Sequence, residues 1–130
     1  IGKVGCRPDF LVLIYPVVSF TTEYTHKGSR RNLLGDNPEK ELVKLFSNEL
    51  QVTRETPPAF LVHTSGDTGV PAENSVLFYL AMRKAGVPAE LHVFELGPHG
   101  FGLYPKPPIK FDWPSLCQEW MKNRGLLETK

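Results

Sequence analysis

A chain of 130 residues with 41% hydrophobic and 22% charged residues has the composition of a globular domain, one long enough to bury about two-thirds of its unfolded surface. Its formal net charge of +1 comes without a basic stripe, which argues against nucleic acid or an anionic membrane as the main partner. No apolar run approaches the roughly 20 residues needed to cross a bilayer. The opening Ile1-Gly2-Lys3-Val4-Gly5 has neither an initiator Met nor a signal-peptide pattern; it reads as the middle of a longer chain and leaves the cellular compartment open.

In chain order, Phe10-Leu11-Val12-Leu13-Ile14-Tyr15 is a continuous apolar run stopped by Pro16, the pattern of a strand buried on both faces of a parallel sheet. Residues 17–31 have no sustained period and read as a long loop over the strand ends; Lys27, Arg30 and Arg31 form a solvated basic cluster in it. Asn37-Pro38-Glu39-Lys40-Glu41 predicts a helix over residues 38–47, with Asn37 as N-cap and Pro38 at the first helical position. A second strand follows over residues 59–63. The next helix opens at Pro71 or Ala72, with Val76, Leu77, Leu80 and Ala81 at helical spacing and Gly86 as its stop. A third strand covers residues 90–95, where Leu91 and Val93 alternate with His92 and Phe94. After a glycine loop and a Pro-rich passage over 104–108, Trp113-Pro114 starts a last helix that Gly125 ends. Strand and helix alternate three times, which predicts a parallel sheet between helices.

In such sheets the sites form at the C-terminal ends of the strands. Asp67 lies just past the second strand in Ser65-Gly66-Asp67-Thr68-Gly69-Val70-Pro71, and His99 just past the third in Gly97-Pro98-His99-Gly100-Phe101-Gly102. Taken singly, Asp67 reads as an Asx-turn cap before the following helix and His99 as a loop histidine bonded to backbone. Taken together, on adjacent strand ends and in the order acid then base, they make two-thirds of an acyl-transfer triad. A histidine suits the base because its ordinary pKa, about 6.5, sits near neutral pH. A carboxylate on its other ring nitrogen fixes the tautomer and stabilises the imidazolium.

The remaining candidates divide more blandly. A metal site from His63, Asp67, His92 and His99 would need side chains on different faces to converge, so neither metal nor cofactor is expected. His92 reads as a face-alternating strand residue and His26 as a solvated loop histidine. Tyr15 and Phe101 either line an acyl or sugar pocket or pack in core and loop. Cys6 and Cys117 read as small buried or half-buried thiols, with a disulfide left open.

Three blocks carry a family resemblance: His63-Thr-Ser-Gly-Asp67-Thr-Gly-Val-Pro71-Ala-Glu-Asn-Ser75, Ala85-Gly-Val-Pro-Ala-Glu-Leu-His-Val-Phe94, and Gly97-Pro-His99-Gly-Phe-Gly102. They closely resemble the C-terminal part of α/β-hydrolase esterases, nearest to the acetyl-esterase and acetyl-xylan-esterase-like branch, which is related to dienelactone hydrolases and prolyl oligopeptidase-type enzymes. Cys6-Arg-Pro-Asp-Phe10 through Tyr15-Pro16 resembles the family's strand after the nucleophile segment, and residues 113–127 its closing helix. The resemblance implies an α/β three-layer sandwich, of which residues 1–130 supply the last three strands and their helices as one partial domain. By it Asp67 is the triad acid and His99 the base, and the substrate is an acetyl ester of a small molecule or carbohydrate, such as an acetylated plant polysaccharide.

The family's nucleophile sits in a Gly-x-Ser-x-Gly elbow. Ser19, Ser29, Ser47, Ser65, Ser75 and Ser115 all lack glycines two before and two after. By the family's order the elbow falls before Ile1. The chain alone is therefore expected to be inactive, and the edge of its first strand to seek a second copy or a complementing N-terminal segment. The alternative expectation is a non-catalytic, self-associating α/β module.

Overall fold

The computed structural model describes residues 5–103 and 110–127, so the Pro-rich passage over 104–108 lies outside the described residues. Three parallel strands stand in the order β1 (Leu11–Ile14), β2 (Ala59–Thr64), β3 (Ala89–Phe94). Leu13 sits beside Leu61, and Leu61 beside Leu91. β2 is buried along its whole length because it has a strand on each side and a helix over each face. Its alternate side chains feed two cores. Ala59 and Leu61 pack with Val18, Val87 and with Phe78 and Met82 of helix α3 (Glu73–Ala85). Phe60 and Val62 pack with Phe101 and with Trp113, Cys117 and Trp120 of helix α4 (Trp113–Asn123). Burying each of Phe60, Leu61 and Val62 contributes about 1.5–3 kcal/mol and holds β2 at the centre. The continuous apolar run Phe10–Tyr15, expected to be buried on both faces, instead forms the half-buried edge strand β1, because a strand pairs with it on one side only among the described residues.

Several sequence expectations need correction. The segment read as loop over 17–31 runs into helix α1 (Lys27–Leu34). No residue of α1 is buried, so no apolar period announces it; it starts on the His26 ring, whose Nδ1 accepts from Ser29 N–H at 3.2 Å. His26 is thus a cap rather than a free loop residue, and Lys27, Arg30 and Arg31 lie on a helix. The helix expected over 38–47 is shorter: α2 spans Lys40–Leu45, with Glu39 extended before it and no side-chain cap. Only Val43 of α2 is buried, so packing secures little more than one turn before the chain tightens into a 3-10 turn at Asn48–Leu50. In α3 the buried face is Asn74, Ser75, Phe78 and Met82, whereas Leu80 is 55% exposed. Two polar residues on the inner face displaced the apparent stripe. Cys6 is exposed and Cys117 buried, and both are free thiols; burial first, then the Glu90 carboxylate, pushes Cys117 up and keeps it unreactive.

Asn74 explains how the residues after β1 are fixed. Its Oδ1 accepts from Val18 N–H and Ser19 N–H, each at 3.0 Å, and its Nδ2 donates to Tyr24 O at 2.8 Å and Pro71 O at 3.0 Å. One buried amide thus bonds four backbone groups outside the strands and helices, of which Pro71 O also accepts from Asn74 N–H.

Candidate active site

The acid loop begins where β2 ends. Asp67 N–H donates to Thr64 O, and the carboxylate turns inward until its side chain is wholly buried. Oδ1 accepts from Gly69 N–H at 2.9 Å and Val70 N–H at 2.8 Å. That is an Asx-type turn leading into α3, so the bland reading of Asp67 is present in full. It occupies one oxygen only. Oδ2 lies 2.7 Å from His99 Nδ1. Burial pushes the carboxyl up, but the Val70 N–H, the His99 hydrogen bond and charge, and the Gly69 N–H outweigh it and hold Asp67 below the usual carboxylate range. An ionised carboxylate only accepts, so His99 Nδ1 donates.

His99 reaches that position because the two loops touch backbone to backbone. A Cβ on Gly66 would stand 2.9 Å from Gly97 O, and one on Gly97 would meet Thr64 Cγ2 at 2.8 Å. Gly97 also has φ 143°, outside the range of ordinary side chains. Thr64 Oγ1 donates to Gly97 O at 2.7 Å and locks the contact. Glycine at both positions therefore lets the two loops bring Asp67 and His99 together. The His99 side chain is 43% exposed, and among the described residues no group bonds to its Nε2. A base with its far nitrogen fixed and its near nitrogen open can take a proton from a hydroxyl brought to it.

His63 is the residue that sequence reasoning undervalued. Buried at the end of β2, it makes contacts through both nitrogens: Nδ1 to Ser75 Oγ at 2.8 Å, Nε2 to Val70 O at 2.9 Å and to Asp67 Oδ2 at 3.3 Å. A carbonyl can only accept, so Nε2 bears the proton and Nδ1 accepts from the Ser75 hydroxyl. Burial, only partly countered by the Val70 carbonyl and Asp67, pushes His63 down, which keeps it neutral. One imidazole thus ties α3 to both ends of the acid loop. The available signal was a lone imidazole in a strand otherwise built of Ala, Phe, Leu, Val and Thr, four residues ahead of the acid.

The other candidates fall elsewhere. His92 Nε2 bonds Glu90 Oε1 at 2.8 Å, and its ring lies 5.3 Å from Phe60 on the α4 side of the sheet. Among the described residues no group of three or more His, Cys, Asp or Glu is arranged to hold a metal ion. The Tyr15 ring packs edge-on at 4.7 Å from His99 and 4.8 Å from Phe101. The hydroxyls of Ser19, Ser29, Ser47, Ser75 and Ser115 bond to groups other than His99. Ser65 is exposed on the acid loop.

Comparison with known proteins agrees with this architecture. Residues 9–124 match the model of the prolyl oligopeptidase family. Endo-1,4-beta-xylanase B of Butyrivibrio fibrisolvens is 48% identical over 99 residues, covering 76% of this chain and 15% of that protein. Acetylxylan esterase of Xylanibacter ruminicola is 38% identical over 101 residues, covering 75% of this chain and 21% of that one. Among solved structures, an acetyl ester-xyloside bifunctional hydrolase from Caldicellulosiruptor lactoaceticus superposes with a TM-score of 0.91 at 47% identity, over 97% of this chain and 46% of that one. The carboxylesterase Cest-2923 from Lactobacillus plantarum gives 0.75 at 28% identity, over 94% and 46%. The chain therefore spans about a fifth or less of the curated relatives and under half of the solved ones. Its parallel sheet between helices is part of an α/β-hydrolase fold, as the esterase resemblance of its motifs implies. With that span of 9–124 matched, the chain belongs to the prolyl oligopeptidase family.

Proposed function

We propose that this chain contributes the acid, Asp67, and the base, His99, of a Ser-His-Asp triad to a carboxylic ester hydrolase acting on small or carbohydrate acetyl esters. The 2.7 Å contact between Asp67 Oδ2 and His99 Nδ1, with Nε2 left open, is the observation that carries the reading. Support for the substrate class comes from relatives named as an acetylxylan esterase and an acetyl ester-xyloside hydrolase. In this mechanism His99 Nε2 takes the proton of a serine hydroxyl as its oxygen attacks the ester carbonyl. The imidazolium, stabilised by Asp67, returns that proton to the departing alcohol. Water, deprotonated by the same nitrogen, then releases acetate from the acyl-enzyme.

The serine comes from a segment complementing this chain as one partial domain. The open edge of β1 supports that assignment. Leu11 N–H and Tyr15 N–H bond toward β2, so Val12 and Ile14 turn their backbone groups the other way, where no strand is described. Beside that edge lies a cavity of about 360 Å³ lined by Leu11, Leu13, Val18, Val52 and Phe78. With no complementing segment, a second copy takes the same edge.

The test is a chimera in which this chain replaces its matched portion of the C. lactoaceticus enzyme. It should hydrolyse p-nitrophenyl acetate, and H99A should abolish turnover; an active H99A chimera defeats the reading. The chain by itself should be silent in the same assay, because removing a triad nucleophile costs about six orders of magnitude in a comparable enzyme. A burst blocked by a serine reagent would contradict this. Light scattering should find the isolated chain associated, and a clean monomer at high concentration argues against pairing through β1.

A further inference from the structure

We propose that Tyr15 is a positioning residue for His99, its ring holding the imidazole in the rotamer that meets Asp67. The inference rests on the reading of His99 as the base. Among the described residues Tyr15 is the one non-glycine residue with a positive φ, at 40°. A bulky side chain avoids that region, and the surrounding structure must over-determine it to keep it there. Two features do so. Tyr15 N–H makes the last β1–β2 bond, to Val62 O at 2.8 Å, which pins the backbone just before Pro16. The turn then carries the ring toward His99 rather than onward along the strand.

The ring is not simply filling a core. It stands edge-on to His99 at 4.7 Å with an interplanar angle of 62°, and to Phe101 at 4.8 Å and 88°. Phe101 rests in turn on Phe111, at 5.0 Å, and Phe111 stacks on Phe94 of β3, at 4.2 Å. An aromatic column therefore runs from the sheet to the exposed imidazole, and Tyr15 is its last member. His99 needs such a wall. It sits on a glycine loop, and among the described residues its side chain has one hydrogen bond, to Asp67. A single bond fixes a distance but leaves the ring free to swing about it. An edge-on aromatic contact removes that freedom without touching Nε2.

The experiment uses the full chain with ¹⁵N-histidine labelling and urea unfolding of Y15F, Y15A and Y15G. Wild type and Y15F should show a slowly exchanging His99 Nδ1–H; Y15A and Y15G should lose it to averaging. In urea Y15G should outlast Y15A, reversing the usual order, because glycine accepts φ 40° without the strain that alanine meets there. Y15N, which also tolerates the left-handed region, repeats the comparison should Y15G fail to fold. An unchanged His99 signal in Y15A and Y15G makes Tyr15 a packing residue and overturns the proposal, as does a Y15A that outlasts Y15G. Loss of the signal in Y15F overturns it too, by assigning the effect to the hydroxyl. Absence of the signal in wild type instead removes the Asp67–His99 pair itself, so the two failures are distinguishable.

Discussion

Replacing Asp67 by Asn tests the acid–base pair most directly, because the two carboxylate oxygens have different duties. Asn Oδ1 can still accept from Gly69 N–H and Val70 N–H. Those bonds drop from charge-assisted to neutral, from about 1.5–3 to about 0.5–1.5 kcal/mol each, so the pair loses about 2 kcal/mol. The lower cost of burying a neutral amide offsets part of that loss, leaving about 1–2 kcal/mol of net destabilisation. With a urea m-value of about 1–2 kcal/mol/M for a chain this small, the midpoint should fall by about 1 M. The Oδ2 side responds differently. His63 Nε2–H cannot turn away without abandoning Val70 O, and it now faces an amide donor. His99 can respond: its Nδ1 becomes the acceptor and its proton moves to Nε2. ¹⁵N shifts of the histidine ring should therefore report an inverted tautomer at His99, with His63 unchanged. In the chimera turnover should fall by about four orders of magnitude, as for the equivalent change in a serine protease. A D67N chain with an unshifted midpoint and a proton still on His99 Nδ1 refutes the hydrogen-bond set described here.

Two further outcomes follow from the same geometry. His63 is held below its ordinary value, so folding favours its neutral form; its contribution is complete above the unfolded pKa of about 6.5 and is lost as pH falls toward the depressed folded value. Asp67 has the same sign in a lower window, losing its contribution as pH drops from about 3.9 through its lowered folded pKa. Urea midpoints against pH should thus begin to decline below about 6.5, and H63Q, which keeps a donor toward Val70 but does not titrate, should remove that upper limb; a flat wild-type profile down to pH 5 contradicts the assignment. Gly66→Ala should destabilise by about 1–3 kcal/mol, since its Cβ would meet Gly97 O at 2.9 Å and that atom belongs to backbone. The same variant should weaken the His99 Nδ1–H signal, whereas an Ala at exposed Gly5, with nothing within 4 Å, should leave both readouts alone.

The sheet and the juxtaposition of Asp67 with His99 were legible because both are written in short local patterns. A six-residue apolar run names a strand, although it stands half-buried at the edge of the sheet rather than buried on both faces, and a carboxylate or an imidazole between glycines names a loop that presents it. What escaped was set by tertiary contacts. Helix α1 buries nothing and so carries no period to read. The inner face of α3 is led by Asn74 and Ser75, and these are buried because Val18, Ser19 and His63 from other segments need partners there. The strain at Tyr15 is equally invisible, since in a sequence a tyrosine before a proline reads only as the end of a strand.

The contacts around Asp67 are local to the second half of the sheet. Every donor on Asp67 comes from residues 63–99: His63, Gly69, Val70 and His99. The loop that carries His99 is anchored by Thr64 of β2. None of these contacts crosses the open side of β1, so the Asp67–His99 contact is complete without any strand paired there. Tyr15 is the bridge between the two regions, because it ends the exposed strand and touches the imidazole. Pairing a new strand on β1 therefore bears on His99 through the Tyr15 ring. If docking shifts the end of β1, the His99 imidazole signals should move more than the Gly69 and Val70 amide signals, because those amides hold Asp67 Oδ1 while the Tyr15 ring touches His99.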